Sequence, residues 1–216
     1  MTITHHPAEL TLQAYAAGHH KRAARVVVAT HLEFCPDCRR TVRLCEEIGG
    51  ALLEDLPPAE MAAGSLDRVL ARLGPVARPP SAAPPPAWAL ASGLPCPVTL
   101  REFSPSRWRG LMPGISRIQL LPPKSGEGSL YLLRIAPGKR VPVHGHTARE
   151  LTCVLSGAYT DAHGEFCQGD LAESDESQDH QPVSAPGGDC ICLIATEAPL
   201  RFGGSFARLL QPLVGV

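Results

Sequence analysis

The sequence predicts an α+β multidomain chain, in which a small all-α unit is followed by an all-β unit. Segments with helical start and stop signals end near residue 73, and short β-like runs separated by turn residues begin near residue 96. Between them lies a proline-dense stretch, which can neither continue a helix nor enter a sheet and is typical of a semi-rigid linker. We therefore expect a helical domain at 1–74, a linker at 75–95 and a β domain at 96–216.

Local signals divide the first unit into four expected helices. Residues 7–17 form the first, because Pro7 suits an initial helical position and Gly18 a helix end. The second covers about 21–34. Proline disfavours helical geometry in the residue before it, so a third helix begins at Pro36.

The fourth expected helix covers 65–73, with Ser65 as its N-cap. A helical unit of this size has little room to bury all of its apolar side chains, so some of them are candidate contacts for a protein partner. These candidates are Leu10, Leu12 and Tyr15 on the first helix and Leu66, Val69, Leu70 and Leu73 on the fourth.

The β unit is expected to be an antiparallel sandwich or barrel, because its strands are short and turn residues separate them. The expected strands are 116–121, 129–135, 150–155, 158–161, 182–184, 189–195 and 200–202.

Charge and composition narrow the classes of function. The net charge of −1 gives no basic surplus, which argues against a zinc-finger nucleic-acid binder and against membrane-surface binding. The chain shows neither a membrane-spanning apolar run nor an export signal, so we expect a cytoplasmic protein that does not associate with a membrane. In that reducing compartment, the eight cysteines indicate metal binding more than disulfides.

A first metal constellation lies in the helical unit, where His31, Cys35 and Cys38 would share one stripe of a helix. The N-terminus of the third helix should favour the thiolate form of Cys38, which metal binding requires. A fourth ligand can come from His5 or His6. Two histidines and two cysteines suit tetrahedral Zn²⁺, which would stabilise a unit with little core. The alternative is that Cys35 and Cys38 form a redox pair or share this spacing incidentally.

A second constellation lies at 138–157, in the pattern Gly-x5-His-x-His-x3-Glu-x6-Gly. His144 and His146 point to one face of an extended strand, and Glu150 stays in register with them. The best candidate for a fourth ligand is His180. Such nitrogen and oxygen ligands accept Zn²⁺, Fe²⁺, Mn²⁺ or Ni²⁺.

Other histidines and cysteines have simpler interpretations. We expect His19 and His20 to lie solvated in a turn between helices, with a role as metal ligands as the minor alternative, and His163 to lie solvated between strands. Cys190 and Cys192 share one face of a strand and are interpreted as small core residues, with a redox-sensitive pair as the alternative.

The pattern at 138–157 resembles the first signature of the cupin superfamily. This resemblance implies a double-stranded β-helix, the jelly-roll barrel, for the second unit. The second cupin signature is degenerate, because the chain keeps Gly169 and His180 but lacks the usual proline and asparagine. The transfer of a particular cupin enzyme activity is weakened accordingly.

The helical unit resembles the zinc-binding anti-sigma domain, and its combination with a cupin resembles the ChrR-type anti-sigma factors. The resemblance implies a regulator rather than an enzyme, with no catalytic residue. It would sequester an extracytoplasmic-function sigma factor through the helical domain, without contacting nucleic acid, and release it on singlet-oxygen or organic-hydroperoxide stress sensed by the cupin. The implied ligands are His6, His31, Cys35 and Cys38 for zinc in the helical domain, and His144, His146, Glu150 and His180 for zinc in the cupin.

A second function is compatible with the same residues. Three histidines and one glutamate with room for a substrate would suit a metal-dependent cupin dioxygenase or isomerase, with the helical zinc domain as an accessory.

Overall fold

The structure, a computed structural model, describes residues 2–74, 84–85, 96–103, 107–177, 179–198 and 201–202. Four α-helices precede the β-strands within these ranges, so the predicted order of the fold class is confirmed. Most of the expected linker, and Leu200 of the last expected strand, lie outside the described residues. No helix in the described part of the chain has the length and apolar character needed to cross a bilayer.

The helices begin and end close to the predicted positions. Gly18 adopts a φ of 72°, a left-handed conformation that suits a helix end, and Cys35 is extended before Pro36. The prediction for Ser65 was wrong: Gly64 is the N-cap residue, and the Ser65 hydroxyl donates to the carbonyl of Ala62 instead. The helices are α1 Glu9–Ala16, α2 Arg22–Phe34, α3 Pro36–Glu54 and α4 Ser65–Arg72.

The strands form antiparallel sheets. The six-stranded sheet has the order β1-β2-β3-β10-β5-β8, the three-stranded sheet β7-β6-β9, and a two-stranded ribbon joins β11 to β4. Strands β1, β4, β7 and β8 were not predicted, whereas the equally short β6, β9 and β11 were, since runs of two to four residues show too little of an alternating pattern to identify every strand. The strands are β1 Arg109–Met112, β2 Ile115–Leu121, β3 Ser129–Ile135, β4 His144–Gly145, β5 Glu150–Ser156, β6 Ala158–Asp161, β7 Gly164–Cys167, β8 Leu171–Ser174, β9 Val183–Ser184, β10 Cys190–Thr196 and β11 Arg201–Phe202.

The six-stranded sheet is covered on both faces, and every residue of its inner strand β10 is buried. On one face, side chains from this sheet pack against β6 and β7 and form the interior of the barrel. Two aromatic rings, Tyr159 and Phe166, stack there with centroids 4.9 Å apart. The interior also contains Ile115, Tyr131, Ile135, Val154, Cys190, Cys192 and Ile194.

On the other face, α2 packs directly on the sheet. Val27 and Val28 of α2 are fully buried in the same apolar cluster as Leu132 of β3, Leu151 of β5 and Leu193 of β10. The helical part therefore does not rely on its own small core, as the sequence suggested, because it shares the core of the sheet. The division into domains at 75–95 stays a prediction.

Carboxylates of the β part cap two of the helices. The Glu173 carboxylate accepts a hydrogen bond from the Ala8 amide at 2.8 Å, at the start of α1. At the start of α2, the Glu127 carboxylate accepts one from the Arg22 amide at 3.1 Å. Negative charge at a helix N-terminus satisfies free N–H groups and complements the helix dipole. These contacts fix α1 and α2 against the β part.

By contrast, the second half of α3 and all of α4 expose their apolar side chains. No residue of α4 is buried, and only Cys38 and Val42 of α3 are. On the first helix Leu10 is exposed, but Leu12 is only 4% exposed, so its predicted role as a partner contact was wrong. The exposed apolar stripes of α3 and α4 comprise Leu44, Ile48 and Leu52 on α3 and Leu66, Val69, Leu70 and Leu73 on and just after α4.

Candidate metal centres

The helical centre lies where α2 meets α3. The ring nitrogen Nε2 of His31 is 3.3 Å from the sulfur of Cys38, and Nδ1 of His6 is 3.4 Å from the sulfurs of both Cys35 and Cys38. A tetrahedral zinc ion with ordinary bond lengths separates its nitrogen and sulfur ligands by about 3.5 Å. The spacing and chemistry of these four side chains therefore fit one zinc ion, with all four ligand atoms within 4.8 Å of one another.

The break at Pro36 brings the two sulfurs together. Cys35 is the N-cap of α3, and its sulfur accepts a hydrogen bond from the Cys38 amide at 3.4 Å. This N–H···S contact places both sulfurs at the first turn of α3, while His31 reaches them from the last turn of α2.

His31 is held as a neutral ligand. Its Nδ1 lies 2.8 Å from the carbonyl oxygen of Gly169, which fixes the proton on Nδ1 and leaves the lone pair of Nε2 facing Cys38. Burial lowers the pKa of His31 to about 4. The imidazole is thus uncharged and ready to bind a cation at neutral pH.

Cys38 behaves differently from the prediction. Burial, followed by the neighbouring Cys35 thiol, raises the pKa of Cys38 to about 12, so the helix N-terminus does not by itself produce a thiolate. A bound cation has to supply the stabilisation that deprotonates this thiol.

His6, rather than His5, faces the sulfurs. The His5 ring packs on Phe166 with centroids 4.2 Å apart, and its Nδ1 lies 3.5 Å from the Asp170 carboxylate. His6 meets the ring of His31 edge-on at 5.8 Å. The two neighbouring histidines therefore have separate environments.

The cupin centre spans the end of β4 and the start of β5, so the expectation that one extended strand carries His144, His146 and Glu150 was wrong. His144 on β4 pairs with His180 through two backbone hydrogen bonds, and their Nε2 atoms are 3.0 Å apart. The Nε2 atoms of His146 and His180 are 3.3 Å apart, and Nδ1 of His146 is 3.8 Å from Oε2 of Glu150. All four side chains are buried and lie within reach of one ion.

The hydrogen bonds around this centre leave two lone pairs facing each other. Nδ1 of His180 donates to the Asp161 carboxylate at 3.0 Å, and Nδ1 of His144 donates to the carbonyl of Pro142 at 2.9 Å. Both Nε2 atoms therefore carry lone pairs at a separation of 3.0 Å, which is repulsive unless a cation lies between them. The Asp161–His180 pair matches the carboxylate–histidine arrangement found behind metal ligands.

Glu150 also favours a cation. Its Oε1 accepts a hydrogen bond from Thr152 at 3.3 Å, but within the described residues its Oε2 has no hydrogen-bond partner. Burial raises the pKa of Glu150 to about 7, and burial with the neighbouring His180 lowers the pKa of His144 to about 4. A metal ion would satisfy the unpaired oxygen and hold the carboxylate ionised.

Comparison with known proteins supports the same interpretation. The family described as the ChrR cupin-like domain matches residues 98–199. Along nearly the whole chain, the sequence is 40% identical over 215 residues to the anti-sigma-E factor ChrR of Cereibacter sphaeroides, covering 98% of each protein. The chain belongs to the ChrR family of anti-sigma factors.

A solved structure agrees with this assignment. In the crystal structure of Rhodobacter sphaeroides SigE in complex with the anti-sigma ChrR, the matched chain aligns with a TM-score of 0.73 and 39% identity, over 90% of this chain and 99% of that chain. The predicted resemblance and the cupin fold are confirmed. The family is one of anti-sigma factors, which favours the regulator interpretation over the dioxygenase or isomerase hypothesis.

The remaining histidines of this ChrR-family protein lie outside both centres. His19 and His163 are exposed. The prediction for His20 was wrong, because its ring is buried, with Nε2 2.9 Å from the Thr11 carbonyl and Nδ1 3.3 Å from Arg149. His20 thus ties α1 to the β part and binds no metal in this arrangement.

Cys190 and Cys192 lie inside the barrel. Both are buried, and their sulfurs are 3.7 Å apart, the distance of a thiol–thiol hydrogen bond rather than of a disulfide. The Cys190 side chain and burial raise the pKa of Cys192 well above its ordinary value, so this thiol stays protonated at neutral pH. The placement agrees with the interpretation of both as small core residues.

Three residues that support the centres were not recognised in the sequence. Asp161 lies 19 positions before His180, and Gly169 and Asp170 lie more than 130 positions after the N-terminal ligands that they adjoin. Local spacing contains no signal for contacts at such separations. A jelly-roll register and the position of α2 on the sheet bring them together.

Proposed function

We propose that this protein sequesters an extracytoplasmic-function sigma factor through its helical part. The observation that carries the proposal is the exposure of the apolar stripes of α3 and α4, supported by the solved complex of SigE with the ChrR relative. Leu44, Ile48 and Leu52 recur every four residues, so they form one face of α3. Apolar helical faces of this kind are typical surfaces for a protein partner.

Zinc in the helical centre would make this binding metal-dependent. The centre joins the N-terminal segment, the end of α2 and the start of α3, so the ion would fix the direction in which α3 leaves the sheet. The donor set of His6, His31, Cys35 and Cys38 favours zinc over harder cations. Without the ion, the stripe on α3 would lose its defined position relative to the rest of the binding surface.

The cupin centre would act as the sensor. We infer that zinc occupies it, with Fe²⁺, Mn²⁺ or Ni²⁺ as alternatives for its nitrogen and oxygen ligands. The signal would be singlet oxygen or an organic hydroperoxide. Release of the sigma factor requires that the cupin modified by the signal stabilise the regulator without its sigma factor. The contacts between the helical and cupin parts therefore have to differ between the modified and the unmodified protein.

The proposed function also fits a domain organisation and a cellular location. We infer a helical anti-sigma domain at 1–74, a linker at 75–95 and a cupin sensor at 96–216, acting in the cytoplasm, where a sigma factor would meet RNA polymerase. The net charge of −1 supports a protein partner without direct nucleic-acid contact.

The test is a pull-down from the native lysate with the full-length chain as bait, because α2 shares its core with the sheet. Mass spectrometry should recover a sigma factor with the wild type. The double variant Val69→Asp/Leu70→Asp should lose it, because two charges would enter the apolar stripe of α4. Val98→Asp is the matched control, since Val98 is 63% exposed but lies outside both stripes. Equal recovery by all three baits would contradict the proposed surface.

Two further experiments test separately the role of the helical metal and the response to the signal. Cys35→Ser/Cys38→Ser should lose the sigma factor if the helical zinc supports binding. The purified wild-type complex should dissociate on treatment with an organic hydroperoxide, and His144→Ala should remain bound because its cupin centre is disrupted. Dissociation of both complexes at the same oxidant dose would contradict the sensor role.

A further inference from the structure

The turn between β7 and β8, residues 167–171, lies against the helical metal centre rather than the cupin centre. Three of its residues, Gly169, Asp170 and Leu171, contact the segments that carry the helical ligands, although no ligand belongs to the turn itself. The turn is the C-terminal neighbour of β7, which contributes Phe166 to the interior of the barrel. The turn therefore joins a strand of the barrel interior directly to the surroundings of the helical centre.

The carboxylate of Asp170 holds the N-terminal segment in place. Its Oδ1 accepts hydrogen bonds from the amides of Thr4 at 2.8 Å and His5 at 3.0 Å, directly before His6. Its Oδ2 accepts the amide of Cys167 at 2.8 Å, so the same side chain also closes the turn. Only 1% of Asp170 is exposed. Charge-assisted bonds to buried amides are among the stronger hydrogen bonds in proteins.

The pairing continues along the backbone of the turn. The amide of Leu171 donates to the carbonyl of His5 at 3.1 Å, so Asp170 and Leu171 hold residues 4 and 5 from both sides. His6 follows immediately and reaches the sulfurs of Cys35 and Cys38. The position of this exposed, N-terminal ligand thus depends on contacts with the cupin part.

Gly169 orients a second ligand. Its carbonyl oxygen accepts the Nδ1 proton of His31 at 2.8 Å, and its own φ is 91°, a left-handed value that favours glycine. A Cβ atom at this position would lie 2.9 Å from the side chain of Ile3 and 3.1 Å from Cβ of Phe34. The close approach of the turn to both segments therefore requires a glycine here.

We propose that the β7–β8 turn is the outer shell of the helical zinc centre, with Gly169 and Asp170 as positioning residues that set its metal affinity from the cupin part. The inference deepens the proposed function and rests on zinc binding at the helical centre. Because coupling is reciprocal, occupancy of that centre also tightens the turn. A change that moves β7 or β8 would thereby reach the metal that supports the sigma-binding helices.

The test measures affinity in the full-length protein with Co²⁺ replacing zinc. Thiolate-to-cobalt charge transfer reports the helical centre alone, because the cupin centre has no sulfur ligand. Asp170→Asn keeps the shape of the side chain but replaces one oxygen with an NH₂ group. This group faces either the Thr4 and His5 amides or the Cys167 amide and cannot accept their hydrogen bonds. We expect a loss of affinity of about 10- to 100-fold in competition with a chelator, the usual effect of removing an outer-shell partner.

Glu127→Gln is the matched control. Glu127 is also a carboxylate of the cupin part that binds a helical-part amide, but it does so at the start of α2, away from the ligands. It should retain the wild-type affinity. Wild-type affinity in a folded Asp170→Asn protein, judged by its melting curve, would overturn the proposal. Absence of the charge-transfer band in the wild type would instead show that the helical centre itself does not bind metal as proposed.

A second measurement does not depend on the folding of Asp170→Asn. Hydrogen exchange is followed by mass spectrometry in the zinc-loaded wild type and in Cys35→Ser/Cys38→Ser. The amides of Thr4, His5, Cys167 and Leu171 should exchange faster in the double variant, because the vacated centre no longer holds the turn. Unchanged exchange of peptides 2–8 and 166–172, with the metal demonstrably lost from the helical centre, would overturn the coupling.

Discussion

At the scale of single residues, the two centres are supported by groups that fix the tautomer of a histidine. Asp161 does this for His180, and the Gly169 carbonyl does it for His31. Each leaves an Nε2 lone pair aimed at another ligand atom. Hydrogen-bonded orientation of this kind raises ligand basicity and reduces the reorganisation needed when a metal binds.

Asp161→Asn should weaken metal binding at the cupin centre by about 10- to 100-fold. The substitution replaces the charged carboxylate that accepts the Nδ1 proton of His180 with a neutral amide, which is a weaker acceptor. The measurement is a chelator competition with Cys35→Ser/Cys38→Ser as background, so that only the cupin centre is titrated. Asp179→Asn is the control, since Asp179 is adjacent to His180 in sequence but exposed. Equal losses in both variants would mean that overall charge, rather than the hydrogen bond, sets the affinity.

Zinc affinity at the helical centre should rise with pH. The Cys38 thiol, whose pKa is raised to about 12, is protonated at neutral pH, so each zinc ion displaces its proton. His31, whose pKa is lowered to about 4, stays neutral and releases none. Displacement of the Cys38 proton alone increases the affinity about tenfold for each pH unit, and the second thiol ligand can only steepen this slope. Chelator competition between pH 6 and pH 8 measures the slope, and a pH-independent affinity would contradict the interpretation of Cys38.

At the scale of elements, α2 has two roles. It carries His31 in its last turn and places Val27 and Val28 against the sheet. By contrast, α4 buries none of its residues. The two helices should therefore respond very differently to the same substitution.

Val28→Ala should lower the free energy of unfolding by about 2 kcal/mol, because it removes two methyl groups from a fully buried site and leaves a cavity. Val69→Ala is the control on α4, where the side chain is 53% exposed, and should change stability by less than about 0.5 kcal/mol. Urea unfolding curves provide both values. Equal midpoints for the two variants would show that α2 does not contribute to the core as the structure indicates.

At the scale of the whole molecule, the helical and cupin parts are joined by a common apolar cluster and by carboxylates that cap α1 and α2. Such an arrangement predicts cooperative unfolding, since α2 cannot leave the sheet without exposing Leu132, Leu151 and Leu193. A conformational change in this protein is therefore expected to involve the peripheral helices or the turn at 167–171 rather than the separation of α2 from the sheet.

Native-state hydrogen exchange should show this cooperativity. The amides of α2 and of β10 should open with the same free energy and the same denaturant dependence, whereas those of α4 should exchange through local opening. The measurement uses the metal-loaded full chain in increasing urea. A markedly lower opening free energy for α2 than for β10 would mean that the helical part unfolds as an independent domain.

Much of this architecture could be predicted because its signals are local. Gly18 and Pro36 end and begin helices through their own backbone preferences, and turn residues separate the longer strands. The spacings His31-x3-Cys35-x2-Cys38 and His144-x-His146-x3-Glu150 keep the candidate ligands close along the chain, although the break at Pro36 and the bend at 147–148 distribute them over two helices and two strands. The sequence by itself therefore determined the class of fold, the family and the composition of both groups of candidate ligands.

Only the tertiary structure decided which distant groups support those ligands. The contacts of Asp161, Gly169 and Asp170 depend on sheet register and on the seating of α2, neither of which a local pattern encodes. The same holds for His20. Its position in a turn predicted a solvated side chain, but the packing of α1 on the β part buries it. Short-range backbone chemistry determines elements and their faces, while the burial and pairing of a side chain depend on what the rest of the chain brings to it.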